Sequence, residues 1–524
     1  MEHSPVQPLS LALGLLAVAL LYRLRSEIQW RARMRGRALP PGPRRLPFIG
    51  NMYRMPTWKS WIGFRDLSAQ YGDMVYLGGL GRHVLVLSKP DVIFEFLDKH
   101  SANTSDRVNN TIVELTGQQF NLAFMPYGSW WRRHRRAFWQ QFHPGAVQNY
   151  WPIQRAVVRD FLARALHKPT ETHELVRFMF SAAAMKTIYG VDLKDETDEH
   201  IKIIVSVFEA IREMRVMVQF LLEYLPIVGR IPKWAPGGSI IQKLRDARQP
   251  NRHIVEVDFA EAKARVESGE DTASVAARLM TRIPPTLPAE LLAEEEQVAK
   301  NVSAVAVEAG ADTSFSTFEG FLLAMVLYPE VQIRARAELD AVVGPHRLPD
   351  FSDRDQLVYI NAILKESLRW HNTFPLALSH GTIADDEIRG YFVPAGTAVI
   401  PNIWACLHDP ETFAQPHEFN PDRFVRDGKL DPGVLDPASL VFGFGRRICA
   451  GRYFADSMLY IAIASLLHVF EIGPPLDNEG HPIKISYDST DGFLSYPVDC
   501  RCTFKPRSSK AADLIMTARE NQVE

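Results

Sequence analysis

The period of the hydrophobic positions changes several times along the chain. Residues 70 to 100 hold short alternating apolar runs, such as MVYLGGLGRHVLVLS, which predict strands around a turn. Helical periodicity dominates from about 130 to 375, and strand signals return over 376 to 403, where GYFVPAGTAVIPN places a Pro-Gly turn between apolar runs. Residues 452 to 470 are apolar nearly all round, so we expect a buried helix there, and short strand signals continue to about 505.

These patterns predict a mostly helical α+β fold with small sheets. A length of 524 residues suggests several domains of ordinary size. No internal repeat and no shift of composition divides residues 51–505, however, so we expect one large domain over that range. The polar tail after it, 506–524, is expected to be poorly ordered.

The N-terminus departs from this globular pattern. The stretch PVQPLSLALGLLAVALLY, ending at Tyr22, carries no charge, and an arginine-rich stretch follows it. It is at the short end of the roughly 17–25 residues that span hydrocarbon. A cleaved signal peptide is the competing interpretation, but the segment before the apolar run has no Lys or Arg. We therefore expect a transmembrane anchor over 1–22, with a lumenal N-terminus and a cytoplasmic body. A basic, proline-rich linker over 23–50 would join the two.

Composition and charge narrow the classes of function. The net charge is −2, which gives no reason to expect nucleic-acid binding. The four cysteines are too few for a disulfide framework in so long a chain, and none forms a Cys-x2-Cys pair, so a cysteine-based zinc site is not expected. Cys449 could still be a buried structural thiol, half of a disulfide, a nucleophile or a metal ligand.

The surroundings of Cys449 favour a metal ligand. It lies in FGFGRRICAGRYFA, where glycines at 443, 445 and 451 allow tight turns and close approach to a flat ligand. The apolar helix that follows presents its positive end and free backbone N–H groups to the sulfur, which favours the thiolate. A simple buried thiol would need no such glycine-rich loop, so we interpret Cys449 as an axial metal ligand.

This loop resembles the haem-binding signature F-x-x-G-x-R-x-C-x-G of the cytochrome P450 family. Every fixed position matches, and the matching residues are Phe442, Gly445, Arg447, Cys449 and Gly451. The resemblance implies a b-type haem with the Cys449 thiolate as its proximal ligand. The proline-rich hinge and the predicted anchor are similar to the membrane-bound, reductase-dependent branch of the family. The style of MPYGSWWRRHRR is similar to its fungal secondary-metabolism members.

A second motif, ESLR, contains Glu366 and Arg369. Their spacing of three places both side chains on one helix face, which an ordinary surface ion pair would also do. The pair resembles the E-x-x-R motif of the family, which implies a buried structural group completed by Arg423 in FNPDRF.

A third motif, AGADTS, lies within a long helical pattern. A helix kink with Thr313 bonding back to a carbonyl would explain it on its own. Beside the cysteine loop it resembles the oxygen-binding groove of the family. The resemblance implies that Asp312 and Thr313 relay protons to dioxygen, while Ala309 and Gly310 leave space over the iron.

A fourth motif implies ligands for the haem propionates. Trp131 and Arg135, in YGSWWRRHRRAF, fit the W-x-x-x-R pattern of the family, and Arg447 would add a third donor. His380, in FPLALSHGT, occupies the place of a further propionate ligand, although a satisfied strand histidine remains an equal alternative. The neighbouring arginines 132, 133 and 136 form either a solvated face or a docking surface for an acidic electron donor.

The resemblance implies a monooxygenase that inserts one oxygen atom of O2 into an apolar small molecule. Its expected electron donor is NADPH–cytochrome P450 reductase in the endoplasmic reticulum membrane, with cytochrome b5 as a further candidate. Aromatic side chains in the loop at 108–124, near Phe208, at 374–378 and at 493–494 are the expected pocket walls. The apolar segment LLEYLPIVGRIPKW is expected to contact membrane lipid. The alternatives are a thiolate-haem isomerase or peroxygenase that needs no reductase, a non-catalytic haem or lipid carrier, and an anchored structural protein.

Overall fold

The computed structural model describes residues 6–520, apart from residues 48, 80, 109–110, 213–217, 219–220 and 223–224. Helices make up most of the described chain, as the hydrophobic periodicity predicts. The α-helices span Val6–Met34, Ser60–Tyr71, Pro90–Phe94, Ser101–Thr104, Thr111–Thr116, Ser129–Phe142, Pro144–Val147, Trp151–His167, Thr172–Tyr189, Glu199–Arg212, Gly238–Asp246, Arg248–Arg252, Asp258–Glu267, Val275–Thr281, Ala289–Leu327, Pro329–Val342, Val358–Trp370, Ile403–Leu407, Ala438–Val441, Arg452–Val469 and Ser509–Glu520.

Within the described residues, the strands form one four-stranded sheet and three two-stranded ribbons. In the larger sheet, Met74–Gly79 runs antiparallel to Arg82–Leu87, which pairs in parallel with Thr397–Pro401, and His380–Gly381 closes the far edge. The predicted strand regions at 70–100 and 376–403 therefore meet in a single sheet. The ribbons pair Asp386–Ile388 with Tyr391–Val393, Val425–Arg426 with Lys429–Leu430, and Phe470–Gly473 with Thr503–Pro506.

The helix Ala289–Leu327, here called the central helix, runs through the main core for 39 residues. From Val298 to Met325 most of its side chains are buried on every face, which is the pattern of a helix enclosed by others. It packs most extensively against the helix Thr172–Tyr189. Its end is set by Pro329, because the residue before a proline is disfavoured in the helical conformation.

The anchor prediction for residues 1–22 is wrong. The described part of the chain holds no helix that is both long and apolar enough to cross a membrane, so the expected endoplasmic reticulum location loses its basis. The uncharged stretch is short, and the helix that contains most of it continues into the basic linker as far as Met34. That end packs on the larger sheet, where Trp30 stacks on His83 with ring centroids 5.4 Å apart. Residues 1–5 lie outside the described residues.

The tail also differs from the expectation of poor order. Ser509–Glu520 is helical, and its Ile515 is 1% exposed. This helix packs on Trp151–His167, and Arg519 forms an ion pair of 2.9 Å with Asp160. Ile515 is buried in the main core, and Ala511, Leu514 and Ala518 pack against the same core, so a few apolar residues order this mostly polar segment. Residues 521–524 are outside the described range.

Candidate functional site

The middle of the central helix and the cysteine loop, Phe442–Gly451, face each other across a cavity of about 300 Å³. The predicted residues that line it are Ala309, Gly310, Thr313, Trp131, Arg135, His380, Phe442, Arg447, Cys449 and Gly451. The fold therefore brings together side chains that lie more than 300 positions apart in sequence.

Backbone geometry holds Cys449 in the cavity wall. Its N–H donates to the carbonyl of Phe442 at 2.7 Å, which closes the loop. The helix Arg452–Val469 begins just after it, and the backbone N–H groups of Gly451 and Arg452 both point at the sulfur. Burial nevertheless raises the pKa of the Cys449 thiol, and the nearby guanidinium of Arg135 opposes that rise. A metal cation bound to the sulfur would favour the thiolate at this site.

Two glycines of the loop serve different needs. Gly445 has a φ of +52°, and a Cβ placed on it would come within 2.5 Å of the Leu97 carbonyl oxygen. Its N–H also donates to Asp98 at 2.6 Å. A Cβ on Gly451 would meet no protein atom within 4 Å, although the residue lines the cavity. The first glycine is required by the fold, whereas the second leaves open space beside the sulfur.

Two arginines of the wall suit a ligand that carries carboxylates. Arg447 directs its guanidinium to the backbone carbonyls of Ser105, Leu122 and Met125 at 2.7–3.1 Å. Burial lowers its pKa to about 10. Arg107 also lines the cavity, and burial together with the charge of Arg447 puts the pKa of Arg107 well below its ordinary value. Carboxylates placed against these two groups would relieve the cost of burying like charges.

Sequence reasoning missed Arg107. It donates to three backbone carbonyls, at Ala123, Leu378 and Ser379, so it ties two distant segments together beside the cavity. The local sequence SDRV, residues 105–108, does not indicate those contacts, because they form only in the folded chain.

The remaining predicted propionate ligands differ in what they can donate. The guanidinium of Arg135 lies beside Cys449, and burial lowers its pKa. The indole N–H of Trp131 donates to the Leu122 carbonyl at 3.1 Å, and the guanidinium of Arg447 lies 4.5 Å from the Trp131 ring centroid. His380 places Nδ1 2.8 Å from the carbonyl of Thr104, and burial lowers its pKa to about 3. His380 could donate to a carboxylate through Nε2 only if that anion also raised its pKa.

Thr313 and Asp312 point in different directions. Thr313 lines the cavity and donates its hydroxyl to the carbonyl of Ala309 at 2.8 Å, as a back-bonding threonine does. The side chain of Asp312 is fully buried behind the helix, where it forms an ion pair of 2.9 Å with Arg177 and accepts a hydrogen bond from the hydroxyl of Tyr496. The structure therefore places only Thr313 of this pair in the cavity wall.

The structure brings the ESLR residues together with Arg423. Arg369 and Glu366 are both 0% exposed and share two hydrogen bonds of 2.6 and 2.8 Å. Arg423 donates to the same carboxylate at 3.1 Å, and the backbone N–H of Asn420 donates to it at 2.7 Å. Arg369 also donates to the carbonyls of the 407–418 segment. The group joins a helix to the chain that leads into the cysteine loop.

Aromatic side chains form much of the remaining wall. Phe124, Phe208, Phe374 and Phe493 line the cavity as expected, and the rings of Phe374 and Phe493 meet edge to face with centroids 5.5 Å apart. Phe120 packs against the core instead. The central helix also contributes one acidic residue to the cavity wall, Glu308, which no motif of the sequence singled out.

Comparisons with known proteins agree with this geometry. The family model described as Cytochrome P450 matches residues 40–497. The chain is 36% identical over 490 residues to cytochrome P450 monooxygenase COX2 of Coprinopsis cinerea, which covers 93% of each chain. It is 35% identical to tryptamine 4-monooxygenase of Psilocybe cyanescens, over 91% of this chain and 95% of that one. It is 34% identical to cytochrome P450 monooxygenase 208 of Postia placenta, over 97% of both.

Proposed function

Because the chain belongs to the cytochrome P450 family and is a haem-dependent monooxygenase, we propose that it oxidises an apolar small molecule of secondary metabolism or a foreign compound by hydroxylation or epoxidation. The cavity carries this proposal, since its walls are mostly apolar and it joins the cysteine loop to Thr313. The haem supplies the oxygen-activating chemistry when bound. O2 and a redox partner are required, as in the family generally.

Different residues of the cavity wall are proposed to hold the iron and the carboxylates of the haem. Cys449 would bind the haem iron, because its sulfur already receives two backbone N–H groups. Arg107, Arg135 and Arg447 are the proposed partners of the haem carboxylates, with Trp131 held in place beneath Arg447. His380 joins them if the carboxylates raise its pKa. Glu366, Arg369 and Arg423 keep the segment before the cysteine loop in position.

The two residues proposed to relay protons lie on different sides of the central helix. Thr313 holds a hydroxyl proton at Oγ1 inside the cavity. Asp312 lies behind it, held by Arg177 and Tyr496, and could relay a proton to Thr313 only by leaving that ion pair. Thr313 is therefore the residue whose loss should affect catalysis most directly.

Replacing Thr313 with alanine should leave a folded, haem-loaded protein that still consumes NADPH but forms little product from it. The hydroxyl is lost from the cavity while helix propensity improves. We expect product formed per NADPH to fall by about a hundredfold, the lower end of what a positioned proton donor contributes. Simultaneous assays of NADPH consumption and product would measure this ratio.

Thr281→Ala is the matched control. Thr281 makes the same back-bond, to the carbonyl of Ala277 at 2.7 Å, but does not line the cavity. An unchanged product yield in Thr313→Ala, or an equal loss in the control, would contradict the role proposed for Thr313.

The proposed electron donor is NADPH–cytochrome P450 reductase, with cytochrome b5 as a second candidate. Arg132 and Arg136 are exposed on the helix that carries Trp131 and Arg135, and they could meet an acidic partner. Arg133 is already paired with Glu294 and Glu295 at 2.5 and 2.7 Å, so it adds little charge to that surface. The lipid contact expected for residues 221–234 stays a prediction. Ile227 and Trp234 are 66% and 87% exposed, and residues 223–224 lie outside the described residues.

The activity is tested with purified protein, the reductase and a panel of terpenes, steroids, stilbenes, polycyclic aromatics and tryptamine. A product heavier by one oxygen atom that requires NADPH would establish the monooxygenase and its substrate class. Product formed with peroxide alone would favour the peroxygenase alternative, and a product of unchanged mass would favour the isomerase.

A further inference from the structure

A buried carboxyl group lies in the cavity wall and is not used by the proposed chemistry. Glu308 is 4% exposed and is located on the central helix one residue before Ala309. Its atom Oε2 accepts hydrogen bonds from the side-chain amides of Gln118 and Asn121, both at 3.2 Å. Its other oxygen, Oε1, is buried and has no hydrogen-bond partner.

The neighbouring amides fix which oxygen can accept. Asn251 donates through Nδ2 to the carbonyl of Thr116 at 2.7 Å, so its Oδ1 must accept, and Gln118 donates to it at 2.7 Å. Gln118 therefore presents N–H groups, and its own Oε1 accepts from Asn121 at 2.8 Å. Both amides are thus oriented as donors toward Glu308, and Oε2 is an acceptor in either protonation state of the carboxyl group.

The same environment determines the chemistry of the free oxygen. Burial raises the pKa of Glu308 to about 8, and the two amide donors lower it by less. This shift favours the neutral carboxyl group near pH 7, and its proton would then lie on Oε1, because Oε2 is occupied as an acceptor. Glu308, a residue that lines the cavity, would then carry a buried hydrogen-bond donor that lacks an acceptor. A buried polar group of this kind is costly until a partner arrives.

We propose that Glu308 is a specificity-determining residue that donates a hydrogen bond from Oε1 to a carbonyl or hydroxyl oxygen already present on the substrate. The preferred substrate is then an oxygenated hydrophobic molecule rather than a pure hydrocarbon. The substrate must then already contain oxygen when it reaches this enzyme, so an earlier reaction has to supply the carbonyl or hydroxyl group. The inference rests on the proposed function, because it assigns the substrate class of the same cavity.

The test uses four ligands of one ring size: cyclododecane, cyclododecanone, cyclododecanol and cyclododecylamine. Binding to the haem-loaded protein is followed by the Soret band, which also reveals an amine that ligates iron, and is checked by calorimetry. We expect the ketone and the alcohol to bind about tenfold more tightly than the hydrocarbon, as one net hydrogen bond allows. Equal affinities for hydrocarbon and ketone would overturn the inference.

Two variants separate a neutral donor from an ionised carboxylate. Glu308→Gln can keep its oxygen against Gln118 and Asn121 while its NH2 group donates into the cavity, so the preference for the ketone should persist. Glu308→Leu has no donor, so the preference should vanish. A wild-type preference for the amine that disappears in Glu308→Gln would show a carboxylate built for a cation and would overturn the proposal.

These measurements do not depend on turnover. A ligand preference that behaves as expected, in protein that forms no product with any donor, would refute the proposed function and leave the role of Glu308 intact. Oxygenated products from pure hydrocarbons, bound as tightly as the ketone, would refute the role of Glu308 and leave the monooxygenase intact.

Discussion

Glu366→Ala should yield protein with little bound haem and a much lower free energy of unfolding. The substitution leaves Arg369, which is 0% exposed, and the nearly buried Arg423 without their carboxylate. Removing one partner of a buried ion pair costs about 3–5 kcal/mol, a large part of the roughly 5–15 kcal/mol that holds a typical domain together. The ratio of Soret absorbance to protein, measured together with thermal unfolding, reports both effects.

Two further variants make this result interpretable. Glu171→Ala removes a carboxylate with the same spacing of three from Lys168, but both side chains are at least 40% exposed. We expect a loss of at most about 1 kcal/mol there. Glu366→Gln keeps one acceptor oxygen and should fall between the two. Normal haem content and stability in Glu366→Ala would refute the structural role of the group.

Cys449→Ser should abolish NADPH-dependent oxygenation while the protein remains folded. The hydroxyl is nearly as large as the thiol but does not provide a thiolate to iron. Even a change in the residues behind a metal ligand costs about 10–100-fold, so the loss of the ligand itself should cost at least about a hundredfold in product formation. The spectrum of the reduced carbonyl complex should lose the position that thiolate ligation gives it.

Cys500→Ser is the matched control for this variant. Cys500 donates to Glu319 at 3.2 Å and does not line the cavity, and a serine hydroxyl can make the same hydrogen bond. Retained activity and an unchanged carbonyl spectrum in Cys449→Ser would show that another residue binds the iron. A similar loss in Cys500→Ser would indicate a general effect of removing thiols.

Local patterns were sufficient for the parts of the fold that local interactions decide. The buried helix at 452–470, the strands in 70–100 and the ESLR pair all depend on periodicity or on spacing within one turn. The anchor prediction, which the structure contradicts, rested on an uncharged stretch ending at Tyr22 that is at the short end of the roughly 17–25 residues that span hydrocarbon. The helix at 509–520 was missed because its stability depends on the burial of Ile515 against other helices, which the local sequence does not indicate.

The site shows the same division between local and tertiary information. The cysteine loop is continuous in sequence, so its residues could be assigned together. Asp312 and Thr313 were paired by motif, yet consecutive helical residues diverge by about 100°, and the fold turned one toward Arg177 and the other toward the cavity. Arg107 and Glu308 lie in no short motif. Their importance follows from partners that only the tertiary structure supplies.

The contrast between Gly445 and Gly451 has a consequence for experiments on random variant libraries. At Gly445 a side chain collides with the Leu97 carbonyl, so every substitution should be depleted at the level of soluble expression. At Gly451 the protein itself leaves room, so variants should express normally and be depleted only when cells are sorted for cofactor content. Screening one library by both readouts would therefore separate, position by position, the demands of folding from those of the prosthetic group.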